Sequence, residues 1–183
     1  SGCTFNTSEN FTFVRTDTRN NNMAARTELW YLANPTETTA NVVCTYANNG
    51  SDRVQSFNVL YLTGVEQVSS VDAHNGANGN GTAPSVSITT VTADAWIVDS
   101  GIGDADGFSW TVGSGQTQRS NRNLGSGPNH TASSTVDGKA SPGAETMDWS
   151  QPGGGDWVLS AVAFKPAGAS SSVSRGMLMG VGP

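Results

Sequence analysis

SVSITTV at residues 85–91 and WVLSAVAF at residues 157–164 are the stretches that decide the fold. In the first, Val86 and Ile88 alternate with Ser85, Ser87 and Thr89, the period-two pattern of a strand with one covered face. The second is apolar almost throughout, as a strand covered on both faces must be. Neither carries a helical period. Between them ADAWIVD, around residues 95–98, supplies another central run, and residues 108–112, 133–136 and 145–149 add shorter ones.

Upstream, residues 11–15, 27–32, 41–46 and 56–63 also read as strands. Leu29, Trp30, Tyr31 and Leu32 fill both faces of theirs, and Asn34-Pro35 ends it because Pro donates no ladder hydrogen bond. Val42, Cys44 and Tyr46 share a face; Phe57, Val59 and Tyr61 alternate with Asn58, Leu60 and Leu62. The run DAHNGANGNGTAP, residues 72–84, is so rich in Gly and Asn that it predicts a long surface loop. No segment of useful length has a helix period, so the expectation is an all-β sandwich.

At 183 residues one decorated β-domain is expected. Only 13% of residues are charged, and Ser, Thr, Asn and Gly make up the deficit. The net charge of −6, with no basic patch, argues against nucleic acid. No apolar run is long enough to span a bilayer, so no membrane partner is expected. The numbering opens at Ser1 without a signal peptide, which reads as a mature end or a fragment boundary. Cys3 and Cys44 in this setting predict an extracellular disulfide worth about 3–4 kcal/mol, with two buried free thiols as the alternative.

The order and spacing of TELWYLANP (27–35), GVEQ (64–67), VDA (71–73), SVSITTVTADAWIVD (85–99) and DWVLSAVAFKPA (156–167) resemble concanavalin-like (laminin-G-like) jelly-roll domains of bacterial and phage surface proteins. The resemblance implies a jelly-roll-type antiparallel β-sandwich of two packed sheets, with a binding or structural role. Such domains usually begin with a strand of the type R-x-L-x-V-G-V, which is missing here. Its likeness, SRGMLMGVG at residues 174–182, stands at the other end.

The chain therefore divides into a sandwich (1–166), a flexible linker (167–174) and a last strand (175–183). Met177, Met179 and Val181 share one face of that strand, with Leu178 between them. Three readings fit: a circular permutation closed in cis, one repeat of a tandem array, or a strand donated to a neighbouring copy. The third resembles extracellular fibrils built by strand exchange, whose subunits usually donate from the N-terminus. A head-to-tail contact of that kind yields a homopolymer, a filament or surface assembly. The alternative is a carbohydrate-binding adhesin or phage appendage domain folded in cis.

Catalytic patterns are weak. Glu145 and Asp148, the nearest carboxylate pair, are three residues apart and so fall on opposite faces of a strand, which defeats glycoside hydrolysis. His74 and His130 are expected as solvated loop residues. Asp104 and Asp106 form a weak echo of a calcium loop, a ligand the jelly-roll resemblance also implies. Asn6, Asn10, Asn49, Asn80 and Asn129 begin the five sequons, close to the number this composition gives by chance, so the count is uninformative. Trp110 and Trp149, near loop ends, are the candidates for stacking on sugars, although Trp residues so placed are more often core, which is the expectation here.

Overall fold

Two short strands, β1 (Gly2–Phe5) and β2 (Glu9–Asn10), open the chain and are followed by β3 (Thr12–Asn20), β4 (Ala24–Leu32), β5 (Val42–Thr45) and β6 (Asn58–Leu62). The structure, a computed structural model, describes residues 1–20, 24–36, 39–46, 55–104, 109–125, 130–168 and 177–182, the side chains of 24, 181 and 182 excepted. Next come β7 (Val71–Asn80), β8 (Ser85–Thr90), β9 (Ala95–Gly103), β10 (Thr111–Val112) and β11 (Thr117–Asn123). The chain continues through β12 (His130–Lys139), β13 (Gly143–Ser150), β14 (Asp156–Phe164) and β15 (Met177–Gly182). No helix occurs among the described residues, and every strand pair is antiparallel.

Period-two alternation fixes how the layers stack. The five-stranded sheet β11-β12-β9-β14-β7 lies in the middle. From one of its faces Ile97, Leu159, Ala161 and Ala163 pack against Val86, Ile88, Met147 and Trp149 of the sheet β10-β13-β8. From the other, Val98, Val162 and Phe164 pack against Leu29, Leu62, Met177 and Met179 of the sheet β3-β4-β15-β6. Every residue of β14 is buried, which is why its sequence does not alternate. The small sheet β2-β1-β5 closes the outer side, where Cys3, Phe5 and Phe11 meet Leu32, Trp30 and Leu178. The result is an all-β sandwich with its central sheet covered on both faces, rather than only two sheets.

The disulfide expected from the sequence is present. Cys3 and Cys44 stand opposite each other in the β1–β5 register, joined at 2.06 Å. Asn34 adopts a left-handed φ of 48° just before Pro35 and ends β4 there.

One expectation fails clearly. Residues 72–84 do not form a loop: β7 runs through most of them and pairs with β14 from Val71↔Phe164 to Asn80↔Asp156. The glycines that suggest a turn serve close packing instead. A Cβ at Gly76 would overlap the Asp17 carboxylate of β3, and one at Gly79 would overlap the Trp157 ring. The side chains that fill this strand's surface come from its neighbours. β11, TQRSNRN, is a sheet edge and largely exposed, so no apolar alternation marks it.

Candidate functional site

The last strand is not an appendage. β15 is an interior strand, paired with β4 from Leu178↔Leu32 to Gly182↔Glu28 and with β6 from Met177↔Leu62 to Val181↔Asn58. β6 has no other strand partner among the described residues, so β15 alone ties it into the sheet. Met177 and Met179 are wholly buried among Leu29, Val65, Val98 and Phe164. Leu178, on the opposite face, packs with the cluster around Phe5, Phe11 and the disulfide. One strand thus joins two cores.

The route to this slot starts beside it. After β14, Pro166 bridges to Val65 and the Ala167 amide donates to the Gly64 carbonyl at 2.8 Å. β15 begins opposite Leu62, two residues along the same segment. The body's exit and the slot's mouth therefore lie at one pole of the molecule. Most of the linker, residues 169–174, and Arg175 and Gly176 fall outside the described residues, as does the Val181 side chain.

The other candidates are scattered. Glu145 and Asp148 lie on opposite faces of β13, Glu145 bonded to Lys139 at 2.9 Å and Asp148 accepting from Gln116. His74 is exposed but sits on β7, where Nδ1 meets Arg15 at 3.1 Å. Arg15 holds Asp17, which accepts from Ser160, whose hydroxyl also contacts Thr27 at 2.6 Å. A serine, a histidine and a carboxylate thus come together, but the histidine faces the guanidinium and the serine faces the carboxylate. That order leaves the imidazole off the serine, so it is not the arrangement of a Ser-His-Asp triad.

His130 is not a solvated loop residue. It is fully buried at the start of β12, stacked on Trp110 at 5.8 Å, with Nε2 against Asn121. Burial holds its imidazole below the ordinary range. Trp110 and Trp149 are both core residues, so neither offers a ring face to a sugar. Trp110 lies over Gly101 and Gly103, where a side chain would overlap it.

Asp99 carries no motif, yet it is the most perturbed group. In β9 it is fully buried, taking hydrogen bonds from the Ser134 amide and hydroxyl and from Trp149 Nε1 at 2.7 Å. Desolvation pushes its carboxyl up to about 7, against those hydrogen bonds. A carboxylate inside the apolar run AWIVD is the only signal the sequence offers.

Asp104 is described, and its amide donates to the Asp156 carbonyl at 2.8 Å; Asp106 lies outside the described residues. No group of three His, Cys, Asp or Glu among the described residues could hold a metal ion. Of the sequons, Asn6, Asn10 and Asn80 are exposed, and Asn80 donates to Asp156 at 2.8 Å. Asn49 and Asn129 lie outside the described residues. No helix among the described residues is long and apolar enough to cross a membrane. No family model matches the chain, and no curated protein or solved structure does.

Proposed function

We propose that this protein is a structural subunit of an extracellular filament or surface assembly, of jelly-roll type, in which β15 of one copy occupies the slot of another. The observation that carries this reading is the interior position of the last strand. A strand set off from β14 by the Ala/Gly/Ser linker, the sole strand partner of β6 among the described residues, with two buried methionines and ladders on both sides, is the element that strand exchange requires. An empty slot would expose the unpaired edges of β4 and β6, and a neighbour's strand would complete both. The disulfide supports an oxidising location, outside the cell. Sugars on the exposed sequons Asn6, Asn10 and Asn80 fit the same location, and the homopolymer needs no cofactor.

The second reading is a cis-folded binding module, an adhesin or phage appendage domain that takes glycans. The shared pole favours it, because the chain leaves the body beside the point where β15 comes in. Deleting residues 174–183 and adding the matching peptide tests the slot. An aggregating body rescued by the peptide means that the slot takes a free strand, as both readings require, whereas a stable monomer indifferent to it refutes exchange. Isotope-labelled and unlabelled full chains, mixed and cross-linked through β15, then separate trans from cis occupancy.

A further inference from the structure

We infer that the pole at the mouth of the slot is itself a docking surface, and that its partner is a second copy of this chain. The inference rests on the strand-exchange reading and deepens it. Among the described residues the three most exposed large apolar side chains are Val68 at 76%, Val91 at 70% and Tyr61 at 61%. All three stand at one end of the molecule. Tyr61 pairs with Leu178 at the start of β15. Val68 lies in the segment between β6 and β7 whose Ser69 and Ser70 carbonyls receive Lys165, next to the chain's exit. Val91 is held there because its amide donates to Asp72 at 2.8 Å, one residue from the Val71↔Phe164 pair.

The tether explains why a second copy belongs at this place. Gly168 and Met177 are nine residue steps apart, a reach of about 30 Å at ~3.3 Å each. The strands β7 and β14 are themselves about 30 Å long. An end-to-end stack, with the mouth of one copy against the far end of the next, would consume the whole tether merely in passing one body. Exchange between copies therefore brings the exit of the donor close to the mouth of the acceptor, pole beside pole. Tyr61, Val68 and Val91 are then the exposed apolar side chains that the donor's body would cover.

The test uses the full chain. Val68→Lys with Val91→Lys, at side chains exposed enough to leave the fold intact, should raise the concentration needed for assembly at least tenfold. The same pair placed in the chain lacking residues 174–183 should leave uptake of the β15 peptide unchanged. Val68→Cys labelled with a photo-activated cross-linker should capture a second copy within the assembled form and not in dilute monomer. Unchanged assembly by the double variant, or no cross-link from Val68→Cys, overturns the docking surface while leaving strand exchange standing. A deleted body that ignores the peptide removes strand exchange, and the docking surface with it.

Discussion

Asp99 should make this protein less stable as pH rises from 4 to 8. Its carboxyl is shifted from the ordinary 3.8 to about 7 by burial, so between those values the folded chain holds a proton that the unfolded chain has released. The sign follows from linkage: the contribution is fully present below about pH 4 and is lost as pH rises through 7. At about 1.4 kcal/mol per unit, roughly three units give at most about 4 kcal/mol. His130 acts in the opposite sense, since a depressed imidazole costs stability as pH falls through the unfolded value. Asp99→Asn isolates the carboxyl. The amide cannot titrate, but it must oppose one of the donors Ser134 and Trp149, costing about 1–3 kcal/mol at low pH. Denaturant melts of both proteins across pH 4–8 should show the wild-type advantage shrinking and then reversing. Parallel curves would refute a buried carboxyl that stays protonated to neutrality.

Breaking the Cys3–Cys44 bond with Cys3→Ser and Cys44→Ser should lower stability by about 3–4 kcal/mol, read by denaturant titration, and unreduced peptide mapping should recover the two cysteines linked. Gly76→Val should destabilise by several kcal/mol, because the new side chain must displace Asp17 from its bonds to Arg15 and Ser160; a melt unchanged to within about 0.5 kcal/mol, the scatter of a surface substitution, would contradict the packing of β7. Met179→Asp should prevent β15 from seating, since the charge would enter a wholly buried position, and the variant peptide should fail to rescue the deleted body.

What the sequence makes legible follows from where each strand's neighbours sit. β8 can be read because its alternate side chains fill the core on its one covered face, and β14 because its side chains fill the cores on both sides of it. β7 cannot, because its surface is filled by Asp17 and Trp157, residues distant in sequence. The Asn/Gly pattern looks the same whether such residues mark a turn or make room. His130 misleads for a related reason: its burial depends on Trp110 and Asn121, which no local pattern brings to it. The apolar face of β15 is visible in the sequence, but its interior position is not, since Leu32 and Leu62, against which it pairs, lie far upstream. Asp99 is hidden because burial, not a motif, makes it unusual.

Whether β15 fills its own slot or a neighbour's comes down to a competition that can be worked out. A strand on a short tether meets its own slot at an effective concentration of order millimolar. The exchanged state makes the same ladders and buries the same methionines, so those contacts cancel between the two states. At about micromolar protein the neighbour's slot starts roughly a thousandfold behind, which is about 4 kcal/mol. Something outside β15 must supply that difference, and the apolar pole of Tyr61, Val68 and Val91 is the surface placed to do so. Burying side chains of this size contributes about 1.5–3 kcal/mol each at most, so three of them can reach the threshold with little to spare. Assembly should therefore be steep in concentration and weakened by Val91→Lys. Lengthening the linker by about ten Gly/Ser residues roughly doubles it, raises the tether's closure cost by only about 0.6 kcal/mol, and should leave the cis form nearly as competitive while relaxing the pole contact. Light scattering from about 0.1 µM to about 1 mM, a range that brackets the effective concentration of the tether, would follow the crossover. A crossover that stays at the same concentration when Tyr61, Val68 and Val91 are all replaced by serine would mean that the pole does not supply the difference.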